Sequence, residues 1–93
     1  MNFYVYLLVS INNDKILSYV GYTNNLKKRI ILHNNSQGAK FTKGRFWKLA
    51  YYKIFKSKSV ALKEEYKLKN NYILRSKIKK KFMKNENISS SSI

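Results

Sequence analysis

Cysteine is absent from the 93 residues, which excludes a disulfide framework and any thiolate metal centre. Histidine occurs once, at His33, so a multi-histidine zinc site cannot be built. Carboxylates are almost as scarce: only Asp14, Glu64, Glu65 and Glu86 exist, and their positions suggest no convergent cluster. Chemistry that needs two metals bridged by several carboxylates is therefore out of reach. Any metal would be a single hard cation held by oxygen ligands and water. Long apolar runs are also missing. Phe3–Val9 is seven residues, whereas a membrane span needs about 20. No basic segment precedes that run and no small-residue cleavage site follows it, so it does not read as a signal peptide. The chain is expected to be cytoplasmic, with no membrane partner.

What is present is positive charge. Lysine and arginine total 20 against four acids, a formal net charge of +16. Phosphate is the commonest partner of such a surface, through attraction and counterion release. Lysine outnumbers arginine 17 to 3, and asparagine and isoleucine are abundant, which also fits a general compositional drift. Against that background the arginines and acids stand out. The 44% hydrophobic and 15% aromatic content is ample for folding. The length makes one domain, expected over residues 1–84, with a modest core and a polar, disordered tail from Asn85 to Ile93.

Phe3–Ser10 is rich in aromatic and β-branched residues and predicts a buried strand. Asn12-Asn13-Asp14 is a turn cluster, and Leu17–Thr23 predicts a second strand completing a hairpin. Thr23 or Asn24 can cap a helix through Leu26, Ile30 and His33. A loop from Asn34 past Gly44 leads to a third strand at Trp47–Phe55. Ser57 or Ser59 caps a second helix to about Asn70, and a third, basic helix covers Ile73–Lys84. The order β-β-α-β-α-α implies a small α+β fold, a three-stranded antiparallel or mixed sheet flanked by helices.

Glu65 falls inside the apolar stripe Ala61, Leu62, Leu68 and Tyr72 of the second helix, while Glu64 points elsewhere. A lone carboxylate there must be paired or bind a metal; a salt bridge to a nearby Lys or Arg serves as well as a function. Arg29 and His33 share one face of the first helix. The guanidinium fork suits a phosphate, although a surface arginine beside a hydrogen-bonded histidine is the plainer reading. Tyr4 and Tyr6 share a strand face, and Tyr19 and Tyr22 lie on the next strand. Strand aromatics are usually core; one acts as a base only if positive charge lowers its pKa from about 10.

Together these residues resemble the GIY-YIG nuclease superfamily. Tyr4-Val5-Tyr6 is similar to the GIY element, with Tyr4 in place of glycine, and Tyr19-Val20-Gly21 to the YIG element. Thr23-Asn24-Asn25-Leu26-Lys27-Lys28-Arg29 resembles the T-x-N-L-x-x-R stretch. His33-Asn34, Gly38-Ala39-Lys40-Phe41-Thr42 and Ala61–Glu65 follow in family order. The likeness is to the short single-domain members and to the nuclease domains of structure-specific resolvases and excision-repair nucleases. It implies a DNA endonuclease, in repair or recombination, using one Mg²⁺ or Mn²⁺ anchored by Glu65. It further implies Tyr19 as the water activator, Tyr6 as a partner orienting water or phosphate, Arg29 as the transition-state cation and His33 as a shuttle or phosphate contact. Tyr22 stands where some members carry lysine. Tyr22, Lys27, Lys28, Lys40, Lys43 and Arg45 are the expected nucleic-acid contacts, and the pattern leaves room for a protein partner that supplies specificity. A second reading is a nucleic-acid-binding protein that keeps the fold and cleaves little.

Overall fold

The continuous apolar run of the first strand is explained by its place in the sheet. In the computed structural model, which describes residues 1–12 and 15–91, β1 spans Phe3–Asn12, β2 Lys15–Thr23 and β3 Lys48–Phe55. The order is β2-β1-β3, all antiparallel. β1 is central and covered on both faces, so Val5 through Ser10 are all buried rather than alternately so. The edge strands β2 and β3 are mostly half-buried. Of the expected turn cluster, Asn13 and Asp14 lie outside the described residues.

Two hydrophobic layers result. Val5, Leu7 and Val9 pack with Val20, Ala61 and Leu68, joined by Ile78 and Phe82, under α2 (Lys58–Asn70) and α3 (Tyr72–Ser91). Tyr6 and Leu8 point the other way, against Trp47, Leu26 and Ile30, beneath α1 (Leu26–Asn34) and the loop after it. Between Leu7 and Leu8 the pairing with β3 slips, from Leu7–Tyr51 to Leu8–Leu49. The extra residue, Ala50, forms a bulge that puts both Ala50 and Tyr51 on the α2/α3 face while Leu49 stays on the other.

The helix boundaries refine the sequence reading. Asn25, not Thr23 or Asn24, caps α1, its side chain accepting the Lys28 N–H at 3.1 Å; the Thr23 hydroxyl instead accepts the Asn25 N–H. Ser57 caps α2. Asn71 interrupts the helical path, and its side chain caps α3 through the Leu74 N–H. That break corrects the expected stripe of α2. Tyr72 belongs to α3 and is 69% exposed, and Leu62, one residue off the inward line, is 41% exposed, leaving Ala61 and Leu68 as the buried pair. α3 runs from Tyr72 to Ser91, past the Lys84 end expected from the sequence, and Ser92 and Ile93 lie outside the described residues. Among the described residues no helix is long and apolar enough to cross a membrane.

Candidate active site

The site grows from the layer beneath α1. Tyr6 on β1 is opposite Gly21 on β2, and its ring lies directly over that glycine, where a β-carbon would collide with the phenol carbon and hydroxyl. A side chain at position 21 would thus displace Tyr6. The Tyr6 hydroxyl meets His33 Nε2 at 2.9 Å, and His33 Nδ1 meets Thr42 Oγ1 at 2.8 Å, all three residues being buried. Thr42 lies in a single 3₁₀ turn, Lys40–Thr42. Gly38 closes on the imidazole from the loop side, and a β-carbon there would strike Nδ1.

The protons of this chain can be assigned by counting. The Thr42 hydroxyl has one proton, which it donates to the Ala39 carbonyl at 2.8 Å, and it accepts the Ala39 N–H at 3.2 Å. Its remaining capacity is as an acceptor, so His33 Nδ1 carries a proton and donates it. His33 is then the neutral Nδ1–H tautomer, whose Nε2 accepts from Tyr6 O–H. The electrostatics agree. Burial, followed by the nearby Arg29 charge, lowers the His33 pKa. Burial pushes the Tyr6 pKa up to about 12, an effect opposed by hydrogen bonding to Arg29 and reinforced by Tyr19 and, most weakly, Glu65. Tyr6 is therefore a held donor, not a phenolate.

Arg29 sits one turn before His33 on α1 and is half-buried. Its Nε is buried without a hydrogen-bond partner, as is that of Arg75. Tyr19 packs its ring 5.1 Å from His33, 6.3 Å and nearly parallel from Phe41, and 6.4 Å edgewise from Trp47. Its hydroxyl has no hydrogen-bond partner among the described residues. Tyr6, Tyr19, Arg29 and His33 are thus brought together on one face of the sheet.

Glu65 approaches from the helical layer of the other face. Its side chain is 19% exposed and pairs with Lys69 at 3.6 Å, while Glu64 is 37% exposed and pairs with Lys67 at 3.6 Å. No three His, Asp or Glu side chains converge among the described residues. The donor set therefore fits only a hard cation that keeps most of its own waters, with Glu65 as single protein anchor, and such a cation could displace the long Lys69 contact. Lys27, Lys28, Lys40 and Lys43 are exposed and Arg45 is half-buried. Tyr22 is half-buried on the α2/α3 face, its ring stacked 6.1 Å from Phe3, apart from Tyr6 and Tyr19.

Three residues without a role in the sequence reading hold the site together. Asn34 clasps the backbone of Trp47, donating to its carbonyl at 3.1 Å and accepting its N–H at 2.6 Å. Trp47, 1% exposed, donates its indole N–H to the Thr42 carbonyl at 3.0 Å. Ser36 adopts φ 59°, and the Ser36 and Gln37 N–H groups close the end of α1 on the His33 and Leu32 carbonyls. Its hydroxyl then accepts the Gly44 N–H at 3.0 Å. The signal for this scaffold was the run Gly38–Thr42 together with the Asn beside His33.

The GIY-YIG catalytic domain model matches residues 2–81. The chain belongs to the GIY-YIG family. Similar proteins include a UPF0213 protein of Clostridium perfringens, 49% identical over 67 residues, covering 71% of this chain and 69% of the relative. A UPF0213 protein of Oceanobacillus iheyensis is 46% identical over 67 residues, covering 71% and 74%. One from Staphylococcus saprophyticus is 54% identical over 52 residues, and the alignment spans 55% of this chain and 63% of that relative. The solution NMR structure of a UPF0213 protein from Bacillus halodurans is 33% identical and covers 83% of this chain and 80% of its own, with a TM-score of 0.46. In this GIY-YIG domain Tyr6 and Tyr19 are the tyrosines of the two name-giving triplets, and they flank His33.

Proposed function

We propose that the protein is an endonuclease hydrolysing DNA phosphodiester bonds with the help of one divalent cation. The observation that carries the reading is the Tyr6–His33–Thr42 proton chain set beside a half-buried Arg29 and a Tyr19 hydroxyl left free. A phosphate seated there meets a guanidinium whose Nε lacks a partner; the fork satisfies two phosphate oxygens and stabilises the charge that builds as a fifth oxygen approaches. Tyr6, kept protonated with its O–H donated to His33, orients the attacking water by accepting a hydrogen bond from it. Tyr19 acts as the phenolate, taking the proton of the attacking water to become the phenol as the new P–O bond forms and the leaving oxygen departs. Glu65 would hold Mg²⁺ or Mn²⁺, which supplies Lewis-acid neutralisation of phosphate charge when bound. Lys27, Lys28, Lys40, Lys43 and Arg45 hold the flanking backbone, and the activity would serve DNA repair or recombination. Incubation with Mg²⁺ and labelled single-stranded, duplex and branched DNA tests the assignment. Metal-dependent cleavage lost in Arg29→Lys is expected, whereas binding with no cleavage of any substrate would leave a nucleic-acid-binding protein of the same fold.

A further inference from the structure

The loop between α1 and β3 places Lys40, Phe41, Lys43, Arg45 and Phe46 within seven residues. Its two phenylalanines are turned out to water, Phe41 at 52% and Phe46 at 67% exposure. Looseness does not account for this. The loop is pinned through buried Thr42, through the Trp47 indole on the Thr42 carbonyl, through the Asn34 clasp and through Gly44 on Ser36. An exposed Phe forgoes about 1.5–3 kcal/mol of burial, and here a fixed backbone holds two of them in that state. The Phe41 ring lies nearly parallel to that of Tyr19, at an interplanar angle of 18°, so an exposed ring adjoins the site, and Phe46 follows it five residues on in the same pinned loop. Cations flank these phenylalanines in the sequence, and no Asp or Glu occurs between Asn34 and Trp47. The ligand that matches flat apolar faces between positive charges is a nucleobase on its phosphate backbone.

We propose that Phe41 and Phe46 form a stacking platform for unpaired nucleobases, so that the site takes single-stranded or locally unpaired nucleic acid in preference to intact duplex. The inference rests on the nuclease reading of the adjoining pocket and names its substrate class. An unpaired base offers a free π-face to Phe41 as the strand turns past Tyr19, and Lys40, Lys43 and Arg45 hold its phosphates. A base inside a duplex has both faces occupied by its neighbours, so it gains only the phosphate contacts.

Binding without cleavage tests the idea, using the full chain in EDTA, fluorescence anisotropy, and a mixed-sequence oligonucleotide either single-stranded or annealed to its complement. Phe41→Ala and Phe46→Ala should each weaken single-strand binding about 5- to 140-fold, the equivalent of about 1–3 kcal/mol per stacked base. Duplex binding should change less than about threefold. Phe46→Trp should preserve the preference, and Phe46→Leu, apolar but without a π-face, should lose it. Phe41 also touches Trp47, so Phe41→Ala could unsettle the loop; Phe46 has no ring neighbour among the described residues, and its variants decide the matter if the Phe41 variant melts early. Equal losses on both substrates, no loss on either, or full retention by Phe46→Leu overturns the platform. Adding Mg²⁺ separates the two readings. Phe46-dependent binding without cleavage removes the nuclease and leaves the platform, while cleavage indifferent to pairing does the reverse.

Discussion

Tyr6 and Tyr19 lie on neighbouring strands beside the same histidine, yet their hydroxyls have different freedom. The Tyr6 proton is committed to His33, and the chain ends on Thr42 and the Ala39 backbone. Because burial raises the folded-state pKa of Tyr6 from 10.0 to about 12, its stabilising contribution is complete below pH 10 and is lost as pH rises toward 12. Denaturant titrations of the native protein and Tyr6→Phe should therefore converge over that interval, by on the order of 2–3 kcal/mol. A constant gap would mean that Tyr6 ionises freely. His33 has the opposite sign: its lowered pKa gives stability that is present above about 6.5 and lost as pH falls below it. Nitrogen NMR should find a protonated Nδ1 and bare Nε2 at neutral pH; the reverse tautomer would contradict the proton count. Tyr19→Phe should reduce cleavage on the order of 10²–10⁴-fold with the melting temperature unchanged, since only its ring is used in packing. A fully active Phe variant would confine Tyr19 to the core.

At the scale of elements, α2 carries two adjacent glutamates that face differently. Glu65 is the more buried, and its charge is felt at Tyr6. Glu65→Gln should abolish metal-dependent cleavage while DNA affinity stays equal or rises slightly, and the same change at Glu64 should be nearly silent. Parallel cleavage and anisotropy assays read both, and equal activity of the two variants would make Glu65 structural. Its inward position was legible in the sequence, because an i, i+4 relation to Ala61 survives small errors in helix phase. The company expected for it was less so. Tyr72 fell on the next helix because Asn71 both ends α2 and caps α3, and a helical period drawn through residue 72 cannot register a break. The three strands and the antiparallel hairpin were readable from apolar runs and turn residues. The Ala50 bulge was not, since a two-residue period offers no sign of a skipped partner. The Asn34 clasp and the Thr42 hub showed only as motif letters: each is a set of side-chain hydrogen bonds across the loop, and neither leaves a periodic trace.

The whole molecule has a formal charge of +16. Affinity for nucleic acid should consequently fall steeply with salt, with a log–log slope of about −0.9 for each duplex phosphate neutralised. A salt-insensitive Kd would assign binding to something other than phosphate. A net positive charge of this size also steers encounter, so association rates should fall with salt more than dissociation rates rise. Trp47, finally, is the sole tryptophan of the chain, sealed from water with its indole N–H on the carbonyl of the residue that orients His33. The protein thus contains its own optical reporter. Emission excited at the red edge comes from one fluorophore, three hydrogen bonds from Tyr6 and edge-on to Tyr19, and a substrate that shifts the loop will announce itself without a label.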